Sequence, residues 1–361
     1  MKSIYIHIPF CDTICNYCDF CKFIKNDDWI NKYLIALDKE ITLKYKGEKI
    51  ETLYIGGGTP SSLNINELNK LFGIIKKINK DKDIEFTFEC NIENIDYDKL
   101  KLLYENGVNR LSIGVQTFND KYLNYLNRNH TKDDVFNKIN IAKSIGFKNI
   151  NIDLIYALPK ESLKELEYDI DLFLKLDINH ISTYSLMIEH NTKLYINKEI
   201  GIDEDLDYEM YKLICKKLKS NNYNHYEISN FAKEGYESKH NLTYWNNDEY
   251  YGFGLGASGY IDNIRYDNTR NLNKYLSGEF ILEYNKLSDK EKLENEFILG
   301  LRKIRGINKE EFKLKYNKEI KDIEVVCKLL KENRLLEDEK KIYINLKYIY
   351  VSNDILLEFI D

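Results

Sequence analysis

Short apolar runs alternate with longer segments of helical periodicity through the first part of the chain. The apolar runs cover residues 3–9, 52–55, 84–89, 110–115, 149–154 and 180–186. Between them, segments such as 29–44 and 65–78 place apolar residues at the spacing of one helix face. Six β-then-α units in series predict a parallel sheet. Such a sheet forms either an open doubly wound structure or a partial or full (β/α) barrel.

The unusual polar residues favour the barrel. They lie at the carboxyl ends of predicted strands: the cysteine loop after residue 9, the Gly56-Gly57-Gly58 turn, Glu89, Gln116 and Asp153. A barrel gathers these ends on one face, where its active site lies, whereas an open sheet spreads them along an edge. In the first strand the isoleucines share one face, and Tyr5 and His7 share the other, which points inward. We therefore expect an α/β fold with a partial (β/α)6 barrel of the TIM type in residues 1–215.

The pattern changes after about residue 215. The stretch "NNYNHYEISNFA" indicates a turn and a strand, and "KHNLTYWNNDEYYGFGLGASGY" reads as an aromatic, glycine-rich connector. From residue 288 helical stretches end in a strand-like pair around 341–351, which is typical of a winged helix. The predicted parts are thus an accessory connector at 216–287 and a small helical domain with a β-hairpin at 288–361.

Charge and apolar content restrict the class of partner. The formal net charge is −6, and the C-terminal part carries equal numbers of basic and acidic residues, so we expect no nucleic-acid partner. No apolar run approaches the length of a membrane span, and no signal peptide is visible at the start. Seven cysteines, an odd number, argue against a disulfide framework. We expect a cytoplasmic protein with a metal site.

Four of the cysteines fall within one short loop, at Cys11, Cys15, Cys18 and Cys21. The last three have the spacing with which bacterial ferredoxins begin, but the further Cys-Pro is missing. Zinc motifs usually separate their cysteine pairs by a dozen or so residues. A loop with three cysteine ligands fits a third kind of site. Three thiolates hold three irons of a 4Fe-4S cube and leave the fourth iron open to another ligand.

The stretch "YIHIPFCDTICNYCDF" resembles the radical S-adenosylmethionine (SAM) signature. The version is that of oxygen-independent coproporphyrinogen III oxidases and their relatives, the HemW-type heme chaperones, and the resemblance covers nearly the whole chain. It implies that Cys11, Cys15 and Cys18 bind a 4Fe-4S cluster whose open iron chelates SAM. The oxidases carry an extra cysteine at the position of Phe20, so the "CDF" triplet matches the HemW-type branch. Cys21 lies outside the signature, with no role assigned.

The same resemblance implies a set of SAM-binding residues. The stretch "YIGGGTPSSL" is, by itself, a glycine-rich turn between a strand and a helix, but next to the cysteine motif it resembles the family's methionine-binding loop. The residues implied in SAM binding are Tyr5, Tyr17, Gly57, Gly58, Thr59, Glu89, Gln116, Arg128 and Asp153.

The stretch "KHNLTYWNN" fits the His-Asn-x-x-Tyr-Trp motif that is associated with heme binding in HemW-type proteins. The resemblance implies His240 as a heme ligand, with Tyr244 and Trp245 able to stack on a porphyrin, and His7 is a second candidate ligand. From the residues alone, a packed aromatic connector in which His240 and Asn241 cap a turn is the better explanation of the stretch.

The function implied is that of a heme chaperone, with the oxidative decarboxylation of coproporphyrinogen III as the alternative. A zinc-stabilised or electron-transfer protein is a third hypothesis, which the glycine turn and the strand-end polar residues oppose. The implied cofactors are a 4Fe-4S cluster, SAM and heme. The implied partners are respiratory hemoproteins that receive heme, and an electron donor if SAM is cleaved. A homodimer, a membrane-associated client and enzymatic activity are left open.

Overall fold

The computed structural model describes residues 2–360, which form strands β1–β17 and helices α1–α14. The strands are β1 Ser3–Ile8, β2 Phe10–Cys11, β3 Phe23–Ile24, β4 Ile50–Gly57, β5 Lys80–Asn91, β6 Arg110–Gln116, β7 Asn149–Tyr156, β8 His180–Ser185, β9 Asn224–Glu227, β10 Asn230–Ala232, β11 Tyr250–Phe253, β12 Ser258–Ile261, β13 Ile264–Asn268, β14 Ile281–Lys286, β15 Ile307–Asn308, β16 Leu335–Glu337 and β17 Lys341–Ile344. The helices are α1 Asp27–Lys44, α2 Ile65–Ile75, α3 Tyr97–Glu105, α4 Asp120–Leu126, α5 Lys132–Ile145, α6 Leu163–Lys175, α7 Lys193–Ile196, α8 Glu204–Ser220, α9 Lys239–Trp245, α10 Leu272–Ser277, α11 Asp289–Gly300, α12 Lys309–Tyr316, α13 Glu324–Lys331 and α14 Ser352–Leu356.

Six parallel strands form the centre of one large sheet. Strands β1, β4, β5, β6, β7 and β8 are neighbours in that order and all pair in parallel. The complete sheet has twelve strands in the order β14-β13-β12-β11-β1-β4-β5-β6-β7-β8-β10-β9, and β14 and β9 stand at opposite ends of it. The prediction of six β-then-α units in a partial barrel is confirmed, because the carboxyl ends of the six strands surround one cavity.

The two faces of β1 differ as the alternation of its residues predicts. Ile4, Ile6 and Ile8 are fully buried in the apolar core on the helix side of the sheet. Tyr5 and His7 face the other side, where the Tyr5 hydroxyl lies 2.9 Å from Nδ1 of His7. The sheet interior is therefore polar and the layer under the helices is apolar, which is the arrangement needed for a site inside a barrel.

The region 216–287 differs from the predicted connector, because strands β9 to β14 within it join the large sheet. Strands β9 and β10 form a hairpin that pairs antiparallel to β8, at one end of the sheet. At the other end β11 pairs in parallel with β1, and β12 to β14 continue antiparallel. The stretch 239–245, expected as irregular connector, is helix α9. The pairing of β11 with β1 joins distant parts of the chain, so no local pattern reveals it.

The C-terminal residues form a small unit of helices and a three-stranded antiparallel sheet. The sheet has the order β15-β17-β16, and helices α11 to α13 precede its hairpin. This arrangement agrees with the predicted winged-helix-like unit. The hairpin strands were expected around 341–351, but they lie earlier, at Leu335–Glu337 and Lys341–Ile344, and a 3-10 turn follows. None of the helices within residues 2–360 has the length and apolar sequence needed to cross a bilayer.

Candidate cofactor site

The carboxyl ends of the six parallel strands open into a cavity of about 510 Å³. Most of the residues that the sequence singled out line this cavity. They are Cys11, Cys15, Tyr17, Cys18, Gly57, Gly58, Thr59, Glu89, Gln116, Arg128 and Asp153. The fold thus brings together the cysteine loop, the glycine turn after β4, residues of strands β5, β6 and β7, and Arg128 after helix α4. Five other predicted residues do not line the cavity: Tyr5, His7, His240, Tyr244 and Trp245.

The cysteine loop is held over the cavity by contacts on both sides. The Thr59 hydroxyl donates to Sγ of Cys11 at 3.3 Å, and an Arg128 guanidinium nitrogen lies 3.7 Å from Sγ of Cys15. Burial raises the pKa of the Cys11 thiol to about 11, and it also raises the pKa of Cys18. Deprotonated thiolates at these positions therefore require a positive partner such as iron.

Cys21, the fourth cysteine of the loop, turns away from the cavity. Its backbone carbonyl lies 2.7 Å from Nε2 of His7, and its side chain packs where a Cβ on Gly256 would come within 2.8 Å of it. It is absent from the cavity lining, whereas Cys11, Cys15 and Cys18 are all present. The structure therefore separates three thiols that face one space from a fourth that packs against the β11–β12 segment.

The glycine turn gives the cavity a wall made of backbone. A Cβ at Gly58 would lie 2.9 Å from Sγ of Cys11, and Gly57 has φ +120° with the His7 ring 2.8 Å from its Cβ position. Larger residues would push the turn away from the cysteine loop. The Gly57 amide donates to Oε2 of Glu89 at 2.9 Å, which fixes the turn to strand β5.

Glu89 is the carboxylate at the end of β5, and both of its oxygens are engaged. The Tyr54 hydroxyl donates to Oε1 at 2.7 Å and the Gly57 amide donates to Oε2. Burial, helped by the nearby charge of Asp153, raises the pKa of Glu89 to about 7, although the two hydrogen bonds oppose that shift. Glu89 therefore changes charge close to neutral pH, and a cationic ligand in the cavity would favour its ionised form.

Arg128 and Gln116 form the opposite wall. Arg128 donates to the Gly114 carbonyl at 2.7 Å and pairs with Glu93 at 3.3 Å, but its Nε has no hydrogen-bond partner among residues 2–360. Gln116 ends β6 with φ +72°, an unusual conformation for a residue with a side chain, at a register shift between β6 and β7. Non-glycine residues with an unusual backbone conformation, such as Gln116, are often found at functional sites.

The floor of the cavity contains Arg110, which the sequence analysis missed. Its side chain is 2% exposed and lines the cavity, and its Nε has no hydrogen-bond partner within the described chain. Its positive charge lowers the pKa of both Glu89 and Asp153, against the larger effect of burial. The alternation of side chains along β6 could have identified it. Arg110 and Gln116 lie six residues apart, so both are on the same face of the strand, which is the face toward the cavity.

Helix α9, which contains the His240 motif, closes the opposite end of the barrel interior. Its contacts are with Ser3, Thr52 and Glu85, which are neighbours across β1, β4 and β5. His240 is 1% exposed, and its ring nitrogens lie 2.7 Å from the Thr52 hydroxyl and 2.8 Å from the Tyr244 hydroxyl. Burial lowers the pKa of His240 to about 3, so the imidazole is neutral.

Two further predicted residues, Trp245 and His7, lie near helix α9 and the cysteine loop but do not line the cavity. Trp245 lies under the guanidinium of Arg302, which is 5.4 Å from the ring centre, and its Nε1 has no partner in the described part of the chain. His7 is buried, with Nδ1 bonded to Tyr5 and Nε2 to the Cys21 carbonyl, and burial lowers its pKa to about 4. Neither histidine predicted as a heme ligand has a free ring nitrogen in this conformation.

The three thiols and the glycine wall fit a 4Fe-4S cluster that carries an open iron. No group of three or more His, Cys, Asp or Glu within residues 2–360 converges closely enough to hold a single metal ion. The three cysteines line one cavity, with the glycine turn beside Cys11, and three thiols are the ligand set of a 4Fe-4S cluster with one open iron. The fold and this site define a protein of the radical SAM class, and residues 5–173 match the model of the radical SAM superfamily.

The chain belongs to the family of the heme chaperones named HemW. It is 40% identical to heme chaperone HemW of Bacillus subtilis, over 100% of this chain and 99% of that protein. It is 39% identical to heme chaperone HemW of Lactococcus lactis, over 99% and 97% of the two chains. Membership of the radical SAM superfamily implies a 4Fe-4S cluster and SAM as cofactors.

One solved structure supports the fold over the whole chain. Coproporphyrinogen III oxidase (HemN) from Escherichia coli, described as a radical SAM enzyme, superposes with a TM-score of 0.87 at 23% sequence identity. The superposition covers 99% of this chain and 89% of the oxidase. At this identity the likeness establishes the architecture, which includes the C-terminal unit, and not the reaction.

Proposed function

We propose that this protein is a heme chaperone, which binds heme and passes it to recipient hemoproteins. The observation that carries the proposal is the similarity to proteins named heme chaperone HemW over the full length of the chain. The cysteine loop supports it, because Phe20 stands where the oxidases carry an extra cysteine and the nearest cysteine, Cys21, turns away from the cavity.

We infer that Cys11, Cys15 and Cys18 hold the cluster and that the cavity holds SAM. When bound together, the cluster and SAM supply one-electron chemistry. The chain's own residues orient the ligand: the Gly57–Gly58 backbone lies beside the cysteine loop, Glu89 presents a carboxylate, and Arg128 packs against Cys15. Further contacts are proposed for Tyr17, Thr59, Gln116 and Asp153, which line the same cavity. Tyr5 acts through His7, since it does not face the cavity.

The heme-ligating role predicted for His240, or for His7, stays a prediction. Both side chains are buried, and both ring nitrogens of each are already hydrogen-bonded. Ligation through His240 would require α9 to move away from β4, and it would bring Tyr244 and Trp245 with it. In the structure His240 packs against β4 through Thr52 and against Tyr244 within α9, and Trp245 packs under Arg302.

The recipients that we propose are respiratory hemoproteins, and the compartment is the cytoplasm. A membrane-associated recipient, an electron donor that would serve SAM cleavage, and a homodimer belong to the same proposal. Nucleic acid is not among the partners, because the chain has a formal net charge of −6 and its C-terminal unit has balanced charge.

The experiment compares heme transfer with decarboxylation on anaerobically reconstituted protein. We expect hemin to bind with saturation and then to move to an apo-hemoprotein when the two are mixed. We expect no protoporphyrinogen when coproporphyrinogen III, SAM and a reductant are supplied. Conversion of coproporphyrinogen III with stoichiometric 5′-deoxyadenosine would show that the protein is an oxidase and that the chaperone proposal is wrong.

A further inference from the structure

We propose that heme binds at the mouth of the cofactor cavity, with the imidazole of His190 as the axial ligand of its iron. This inference rests on the proposed heme-chaperone function and specifies where that function takes place. The bond forms between a ring nitrogen lone pair of His190 and the iron, with release of a water ligand, and no electron is transferred.

His190 is the one exposed histidine of the six in the chain. No hydrogen bond to either of its ring nitrogens occurs within residues 2–360. The other histidines are buried or half-buried and bonded through at least one nitrogen: His7 to Tyr5 and Cys21, His130 to Glu93, His180 to Asn151 and Tyr226, His225 to Ile228, and His240 to Thr52 and Tyr244. Nε2 of His130 has no hydrogen-bond partner within residues 2–360 but is buried, so only His190 offers a lone pair that a heme can reach without a rearrangement of the fold.

The segment that carries His190 is fixed to the cysteine loop. The Leu194 amide donates to the Asn16 carbonyl at 3.1 Å, and the buried Thr192 hydroxyl donates to the Glu189 carbonyl at 2.7 Å. The ring of Tyr195 lies 4.3 Å from the ring of His190, centre to centre. These contacts hold the imidazole on a short turn beside the loop that we assign to the cluster.

Apolar side chains are exposed at the same mouth. Phe20, in the cysteine loop, is 64% exposed, and Met187, after β8, is 69% exposed, and both line the cavity. Glu189, next to His190, lines it as well. A porphyrin is a flat apolar plate, and an aromatic ring and a thioether are the side chains that pack on such a plate with least cost. Exposed apolar groups at the rim of a cavity commonly mark a binding surface.

The exposure of His190 suits a protein that transfers heme to another protein. A chaperone that hands heme to a second protein must present the heme where the recipient reaches it, and the exchange of ligands is fast only if the donor ligand lies at the surface. His190 satisfies both requirements. His240 lies under the sheet, 1% exposed, and its hydrogen bonds to Thr52 and Tyr244 would have to break first.

The test is a hemin titration of the anaerobically reconstituted full chain, without SAM, followed in the Soret and visible bands. For His190→Ala we expect the affinity for hemin to fall at least about tenfold, since even loss of an outer-shell partner of a metal ligand costs that much. We also expect free imidazole to restore the wild-type bands to that variant. His240→Gln, the comparison variant, keeps the wild-type bands.

The outcomes separate the site from the function. If the wild-type protein binds no hemin with saturation, the chaperone function and the His190 site are both wrong. If the wild type binds hemin and His190→Ala keeps its affinity and bands, only the His190 site is wrong. Loss of the bands in His240→Gln at a temperature where that variant is still folded, together with unchanged His190→Ala spectra, likewise overturns the His190 assignment. His190 is exposed, so its substitution leaves folding intact.

Discussion

The ring of His240 packs on the ring of Tyr54, with the two centres 5.0 Å apart and the planes tilted by 30°. The Tyr54 hydroxyl, in turn, donates to Oε1 of Glu89 at 2.7 Å. A residue of the motif associated with heme thus supports, through one intermediate side chain, a carboxylate in the proposed SAM cavity. His240 is in this respect a positioning residue.

The first prediction follows from that relationship. His240→Gln removes the packing on Tyr54 and unpairs at least one hydroxyl, so we expect the free energy of unfolding to fall by about 1–3 kcal/mol. We also expect SAM affinity to fall severalfold, because Tyr54 no longer holds Glu89 in place. Equilibrium dialysis with labelled SAM measures the affinity. Trp245→Phe, in the same motif but packed under Arg302, is the control and keeps wild-type affinity. Equal SAM binding by His240→Gln and wild type would refute the coupling.

The second prediction concerns the four cysteines of the loop. Cys18→Ser removes a thiol that faces the cavity, so we expect reconstituted protein to lose most of its cluster absorbance and iron. Cys21→Ser changes the same residue type three positions away, yet it faces Gly256, so we expect full iron content. Iron analysis and electron paramagnetic resonance of the reduced protein compare the two variants. If Cys21→Ser lost the cluster and Cys18→Ser kept it, the ligand set would have to be redrawn.

The third prediction tests the closeness of the glycine wall to the cysteine loop. A methyl group at residue 58 would lie 2.9 Å from Sγ of Cys11 and about as close to backbone atoms of the loop. We therefore expect Gly58→Ala to reduce both iron content and SAM affinity. Gly73→Ala is the matched control: no atom lies within 4 Å of its Cβ position in helix α2, so we expect a gain of roughly 0.5–1 kcal/mol in stability. Unaltered iron content in Gly58→Ala would contradict the predicted contact.

The sequence was sufficient to predict the parallel core and a part of the cavity lining. Alternation of apolar runs with helical segments is a local signal, and polar residues at strand ends follow from it, as Glu89, Gln116 and Asp153 show. A strand was predicted where β9 and β10 lie, but strands β11 to β14 were missed because β11 pairs with β1 across most of the chain length. Gly252 lies in β11, where a Cβ would clash with the Ser258 carbonyl at 1.8 Å, so the strand requires a glycine there. In the sequence, a glycine instead indicates a loop.

The sequence also could not predict which individual polar side chains are buried and which are exposed. For His240 the residues alone favoured packing and the motif favoured a heme ligand, and only the contact of α9 with Thr52 shows that the side chain is packed here. Arg110 stands at the start of a strand, where an arginine usually reaches solvent, and only the inward parity of β6 distinguishes it. Nothing in the sequence selects His190, because it differs from the other five histidines only in being exposed, and exposure is known only from the structure.

The fourth prediction addresses Arg110. It is a buried cation with an unpartnered Nε, and it lowers the pKa of Glu89 and Asp153. Arg110→Met removes the charge, so both carboxyl groups should take up protons at higher pH and SAM affinity at neutral pH should fall. Stability at neutral pH should fall, because removing the cation leaves two buried carboxyl groups without the opposite charge beside them. Arg110→Lys keeps the charge and serves as the control. If Arg110→Met bound SAM as well as wild type, the proposed electrostatic role would be wrong.

The fifth prediction is a pH dependence of SAM binding that Glu89 sets. Burial raises its pKa to about 7, so the carboxyl is mostly protonated at about pH 6 and mostly ionised at about pH 7.5. The ionised form attracts the ammonium and sulfonium charges of SAM, whereas the protonated form does not. SAM affinity should therefore rise severalfold between those two pH values. Glu89→Gln cannot ionise but keeps the size of the side chain, so its affinity should be low and flat across the range. Dialysis at several pH values compares the two proteins, and a wild-type affinity that fell with rising pH would have the wrong sign for a raised carboxyl pKa.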